Sequence, residues 1–325
     1  GYLAYVLSGD YFYLEEMQFL ANYDMIWNST GRRTYLSGPQ DGIVGYQNRG
    51  QAWAIRTLGF AAAMTPDSHP LKNYLVNKTN NNIAEKTGNW ASPSKNNLGA
   101  IQDFDWISGY SVPPQYSPWQ NDFFVTVFNS LVDLGFSNAT TMRNWLNQWP
   151  VGRLGGNSGT SGYCWKYATA YHAGYPVDQG IVDASGAYVT SFAQLYQRNY
   201  PVESASPCPA SGLMQAGAYP TTPDAYYSNL QAALAMAIDA GAATQALWDK
   251  FVTMGTPDYT GTPVWAIVPR GAPSGGGGGG GGGTPVPAVS ISANQTTITS
   301  GESSTLTWSS TNATSCTASG GWAGT

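Results

Sequence analysis

Nine consecutive glycines, Gly275 to Gly283, divide this chain and limit what can fold on either side of them. A run without side chains has nothing to bury and the most backbone entropy to lose, so it reads as a flexible tether and belongs to no core. The sequence before it is rich in Trp, Tyr and helical periodicity. The sequence after it is Ser/Thr-rich and alternating, with Glu302 its only charged residue. Three regions follow: a large unit over residues 1–272, a Gly/Pro-rich linker over 273–287, and a β-type segment over 288–325.

The first region is long enough for one sizeable core, whereas the 42 residues from Thr284 to Thr325 fall short of the roughly 100 residues of a β-sandwich. That tail reads as a truncated module. The first residues enter a helix almost at once, so further N-terminal elements of the main unit are expected. Charged residues make up 10% of the chain against a usual ~25%, leaving the polar surface to Asn, Gln, Ser, Thr and Tyr. Such a surface suits an extracellular protein that handles neutral polymers. A net charge of -5 without a Lys/Arg cluster argues against nucleic acid, and no apolar stretch approaches the ~20 residues of a membrane span. Nothing in the sequence fixes an oligomeric state.

Three cysteines, Cys164, Cys208 and Cys316, lack the paired spacing of a metal site. Cys164 and Cys208 are candidates for a bridge, with free buried thiols the alternative.

Apolar residues at three- and four-residue steps predict helices from about Phe12 to Tyr23, Asn48 to Met64 and His69 to Lys86, with Ser8 or Asp10 capping the first. Two helical hairpins share one outline. Asn121 to Leu134, a turn at Gly135 and Asn138 to Trp149 match Tyr226 to Ala240, a turn at Gly241 and Ala242 to Met254. Each pairs an apolar helix ending in Asp and Gly with a second helix containing Trp. Such a unit must stack on neighbours to bury its apolar faces.

Helix starts carry the chemistry. Tyr46, Gln47 and Arg49 precede Trp53; Tyr116, Trp119, Gln120 and Asp122 open the next helix; Tyr163, Trp165 and Lys166 follow, then Tyr226 and Asn229. If these belong to the inner helices of a ring, the four clusters meet on one face, joined by Trp106 from the loop around it. Sugar rings offer apolar faces to aromatics and hydroxyls to amides and charged groups. Burial of each ring at its helix start is the plainer alternative.

The hairpin repeat, Gly45-Tyr46-Gln47-Asn48-Arg49-Gly50-Gln51-Ala52-Trp53 and Trp119-Gln120-Asn121-Asp122 resemble the α/α-toroid domains of bacterial secreted polysaccharide lyases and glycoside hydrolases, over about residues 1–270. The resemblance is one of architecture, without a motif matched residue by residue. It implies a mainly α toroid, a polysaccharide substrate, secretion or cell-surface display, and no cofactor.

Hydrolysis needs two carboxylates across the sugar, for which Asp103, Asp105 and Asp122 are candidates. Asp122 has an alternative as a first-turn acid favoured by the helix dipole, and Asp103 with Asp105 is too small a set to define a metal site. Elimination needs a base, an acid and a neutralising cation, for which His172, Tyr163 and Arg49 are candidates. His69 beside Pro70 reads as a cap or surface residue. A noncatalytic glycan-binding or adhesion protein would use the same aromatics without the acid and base. Beyond the linker, Val289-Ser290-Ile291-Ser292 and Ser304 to Ser309 alternate with period two, with Trp308 the expected core ring. The stretch Thr299 to Gly324 resembles bacterial immunoglobulin-like modules.

Overall fold

A computed structural model describes residues 1–27, 43–45, 48–91, 98–101, 115–155, 162–170, 173–174, 189–212, 214, 224–255, 259, 266–270, 288–295, 297, 299 and 303–311. The chain is mainly helical. Its helices are α1 (Tyr2–Ser8), α2 (Tyr11–Trp27), α3 (Asn48–Met64), α4 (Lys72–Trp90), α5 (Pro118–Asp133), α6 (Thr140–Leu146), α7 (Gln148–Gly155), α8 (Phe192–Asn199), α9 (Asp224–Asp239) and α10 (Gln245–Val252). Two short antiparallel pairs join β1 (Gln115–Tyr116) to β2 (Ala173–Gly174) and β3 (Ala288–Ala293) to β4 (Leu306–Thr311). Among the described residues, no helix is long and apolar enough to cross a membrane.

Local chemistry explains the boundaries. Gly9 closes α1 in the left-handed region, and Asp10 then accepts the Phe12 amide at 3.0 Å to open α2. Helix α3 occupies the expected span. Helix α4 starts three residues later than expected, because His69 closes a turn onto the Pro66 carbonyl at 2.9 Å. The Lys72 ammonium then reaches the Thr65 carbonyl at 2.9 Å and satisfies the end of α3. Pro118 takes the first position of α5, where its missing N–H costs nothing. The single helix expected over 138–149 is instead a 3₁₀ turn (Ser137–Ala139) followed by α6 and α7. Pro150 has no N–H for the Leu146 carbonyl, so it fits only the first turn of a new helix.

Helices α3, α5 and α9 run parallel in a row. The start of α3 meets the start of α5 where the Arg49 amide donates to Gln120 Oε1 at 2.9 Å. Further along, Gly59 packs on Leu131, and Arg270 bridges Asp133 to Asp239 at the ends of α5 and α9. Helix α4 returns behind α3, and α10 behind α9. The hairpin parallel drawn from sequence is visible in detail: Gly135 (φ 96°) and Gly241 (φ 74°) both take positive φ, and Trp145 and Trp248 are both buried. Helix α2 lies antiparallel on α3, with Gln18 Nε2 donating to Thr65 Oγ1 at 3.0 Å.

The main core lies between these layers. Ile55, Leu58, Phe124 and Phe128 are inaccessible to solvent, each contributing roughly 1.5–3 kcal/mol by burial. A second cluster packs Trp149, Tyr163 and Tyr196 around Cys164, which is bridged to Cys208 with Cα atoms 5.4 Å apart. A third joins Leu154, Trp165, Trp248 and Phe251. In the β3–β4 pair, Trp308 stands opposite Ile291, which is 59% exposed; among the described residues the pair has no second layer over it.

Candidate functional site

The starts of α3 and α5 meet side by side, which puts part of the anticipated site in one place. Gln120 is buried because its amide oxygen caps α3. That contact brings the Arg49 guanidinium to 5.7 Å from the Trp119 ring. Trp53 and Trp119 both set an edge contact on Phe123, at 5.7 and 6.0 Å between ring centroids. On the far side, Arg56 lies 5.8 Å from the Trp53 ring. Trp53 is 46% exposed, and Trp119 and Phe123 are half-buried. The outcome is a rim of flat rings alternating with guanidinium groups along the seam between two helices.

The groups beneath this rim are polar and enclosed. Asn48 and Ser117 are inaccessible to solvent, and among the described residues neither the Asn48 amide nor the Ser117 hydroxyl has a hydrogen-bond partner. Unpaired buried polar groups are costly and rare in folded proteins. Asn121 turns inward and grips the neighbouring chain: its Nδ2 donates to the Gly99 carbonyl at 2.9 Å and its Oδ1 accepts from the Ile101 amide at 2.8 Å. Val44 is held the same way, its amide donating to Asn82 Oδ1 and its carbonyl accepting from Lys86 Nζ, both at 2.9 Å. Two segments are thereby fixed beside the helix starts.

Several expected site residues lie deeper. Asp122 is 1% exposed and forms an ion pair with Arg153, which is equally buried and also donates to the Ala168 carbonyl at 2.6 Å. Burial pushes the Asp122 carboxyl up to about 6, against the charge and hydrogen bond of Arg153, which pull it down. Tyr163 is 1% exposed, its ring tilted against Tyr196, which in turn meets Tyr167, itself stacked on Tyr200. Burial, then the neighbouring Tyr200, holds its hydroxyl well above the ordinary 10, so it keeps its proton. Trp165 is buried in a 3₁₀ turn (Trp165–Tyr167), where its Nε1 donates to the Pro209 carbonyl at 2.8 Å; the helix start expected here is this single turn. Lys166 is half-buried on the same turn, and Asn229 is buried in the first part of α9. His69 accepts the Leu71 amide at 3.1 Å, the local capping role read from its neighbour Pro70.

Tyr46, Gln47, Asp103, Asp105, Trp106 and His172 lie outside the described residues, as do the side chains of Tyr116 and Tyr226. Three contributors escaped the sequence reading. Arg153 carried a signal, a lone cation in an apolar helix, whereas Phe123 looked like any core ring. Asp24 is the third. Burial raises its carboxyl while Thr57 and Arg56 pull it down, so an acid sits one helical turn from the Trp53 rim. Among the described residues, no group of three or more His, Cys, Asp or Glu side chains is placed to hold a metal. A groove of about 440 Å³ lies at the opposite end of α3, lined by Ala62, Lys72, Asn80, Phe136 and Asn138, away from the aromatic rim.

The chain matches no protein-family model, no characterised protein and no solved structure.

Proposed function

We propose that this chain is a secreted or cell-surface protein that binds a polysaccharide along the seam between α3 and α5. One observation carries the reading: Trp53 and Trp119 present ring surface on either side of Phe123, with Arg49 and Arg56 against them, along the first half of α3 and the start of α5. Indole faces stack on sugar rings, and guanidinium groups and helix-start amides supply donors for hydroxyls or carboxylates. The parallel row α3, α5, α9 with return helices behind it supports a partial α/α toroid, whose inner helices would all bring their starts to this face. The Cys164–Cys208 bridge supports an oxidising compartment. The alternating β3–β4 pair beyond the glycine tether supports the start of an immunoglobulin-like module.

Cleavage is a second reading, favoured by where the chain leaves and re-enters this face. The segment that carries Asp103, Asp105 and Trp106 departs from Ile101, clamped by Asn121, and returns through β1 to Ser117 at the start of α5. Asp122 is already committed to Arg153, so an acid and base would have to come from elsewhere in the chain.

Retention of the full chain on a panel of immobilised polysaccharides tests binding. The wild type is retained on at least one, and Trp53→Ala and Trp119→Ala each weaken retention about tenfold or more, whereas Tyr74→Ala on the outer helix α4 does not. Wild-type levels of retention in both tryptophan variants overturn the assignment of this face. Reducing ends, or an unsaturated product seen by ultraviolet absorbance, separate hydrolysis and elimination from binding alone.

A further inference from the structure

The start of α5, which carries Trp119, is held by contacts with a segment that a disulfide closes into a loop. The bridge joins Cys164 to Cys208, 44 residues apart, and both halves of the loop pack back onto it. In the first half, Trp165 Nε1 donates to the Pro209 carbonyl at 2.8 Å, just past the second cysteine. The Tyr167 ring stacks on Tyr200 of the second half, with centroids 4.1 Å apart. Leu195 and Tyr196 of α8 complete the core around Cys164.

Three contacts run from this loop and its core to the first turns of α5. Nine residues beyond Cys164, β2 pairs with β1, Tyr116 lying opposite Ala173 and Gln115 opposite Gly174. Strand β1 leads directly into Ser117 and Pro118. Trp149, from the core around Cys164, donates its Nε1 to the Pro118 carbonyl at 3.2 Å. Arg153, whose guanidinium lies 4.7 Å from the Trp149 ring, joins the Ala168 carbonyl of the loop to Asp122. Two residues per strand do not make a stable ladder alone, so the pairing of β1 with β2 depends on the loop being held in place. Without the bridge, the entropy of opening a loop of this length works against that short ladder. Gln120, one residue past Trp119, caps α3 through the Arg49 amide, so a shift in the first turn of α5 is felt on both sides of the seam.

We propose that the Cys164–Cys208 bridge positions the aromatic rim: it keeps β2 on β1 and so fixes Trp119 for polysaccharide binding, which the reduced protein loses. This rests on the reading of the α3–α5 seam as the polysaccharide face. A dithiol reductant attacks the sulfur of Cys208, the more exposed of the pair, and Cys164 leaves as a thiolate that takes up a proton. The second thiol of the reagent then closes on the first, releasing Cys208 as a thiol and leaving the reagent oxidised by two electrons. Hydrogen exchange read by mass spectrometry on the full chain, bridged and after dithiothreitol, tests the positioning without a ligand. Reduction speeds exchange of the amides at 115–120 about tenfold or more and leaves the interiors of α3 and α4 unchanged. Retention on the polysaccharide that holds the wild type falls about fivefold or more on reduction, returns on reoxidation, and is low throughout in Cys164→Ser with Cys208→Ser. Unchanged exchange at 115–120 overturns the inference, and so does faster exchange across α3 and α4 alike, since the bridge then supports only the fold as a whole. Full retention by the reduced protein overturns it too. A bridged wild type retained on no polysaccharide instead overturns the reading of the face, and the exchange result alone then decides whether the bridge positions α5.

Discussion

Replacing Arg153 by Met isolates the main electrostatic commitment of this fold, and its cost depends on pH in a direction that follows from Asp122. In the native protein burial holds the Asp122 carboxyl near 6, above the 3.8 of an unperturbed aspartate. The folded state therefore binds this proton more tightly than the unfolded chain. Stability from the group is fully present below about pH 4 and is lost as pH rises to about 6, on the order of 3 kcal/mol in all. Above that the contribution is flat. Arg153→Met removes the cation and the hydrogen bond that oppose burial, so the carboxyl moves higher and the loss continues through pH 6 to 8, at up to ~1.4 kcal/mol per pH unit. Near neutral pH the variant must either bury an unpaired carboxylate or hold it protonated against its solution preference, and it forfeits the bond to the Ala168 carbonyl, a loss of about 3–5 kcal/mol. At about 2–4 °C per kcal/mol, the midpoint falls on the order of 10 °C. Thermal and urea unfolding at several pH values between 4 and 8 measure it. A further Asp122→Asn substitution recovers much of the loss at neutral pH and little at acid pH. Equal destabilisation of Arg153→Met at both ends of the range would refute the reasoning, because lost hydrogen bonds to carbonyls carry no such pH dependence.

Reduction, or Cys164→Ser with Cys208→Ser, opens a loop spanning 44 residues and costs about 4 kcal/mol by chain entropy, read as a lower unfolding midpoint in reductant. The second core cluster, which holds Tyr163 and Tyr196 around Cys164, loosens first, and altered near-ultraviolet dichroism from its tyrosines reports it. Two glycines let elements approach closely. A Cβ on Gly152 falls onto the ring of Phe192, and one on Gly59 onto a terminal methyl of Leu131. Leu131 is buried in the main core and Phe192 packs against Trp149, so Gly59→Ala and Gly152→Ala each destabilise by about 1–3 kcal/mol in chemical denaturation.

The helices of the main unit were legible because their apolar spacing and their punctuation agree. Asn48 to Met64 could be read whole, and the parallel between the hairpins at Gly135 and Gly241 survives to the φ angles. Boundaries failed where a backbone hydrogen bond decides them, as at His69, or where a proline acts backwards on the preceding turn, as Pro150 does. Periodicity also cannot say which face of a doubly apolar helix is covered. The set Phe12, Leu14, Met17, Phe19, Leu20 and Tyr23 recurs at three- and four-residue steps, and the fold divides it between a buried face and an exposed one. Of the site, the clustering of rings and amides at helix starts was visible, while the pairing of Asp122 with an arginine 31 residues away depends on the turn that brings α7 back beneath α5.

The same turn logic bears on how the two parts of the chain divide their work. Arg270 donates its backbone N–H to Asp239 Oδ1 at 2.7 Å, and its guanidinium joins Asp239 to Asp133. These are the ends of α9 and α5, whereas Trp119 sits at the start of α5. Sixteen residues of helix at 1.5 Å each separate them by about 24 Å. The glycine run begins five residues beyond Arg270. Whatever follows the glycines is therefore tied to the helical unit at the end remote from the aromatic rim. Two exposed acidic contacts make that tie weak and sensitive to salt, yet they fix its position at a helix end.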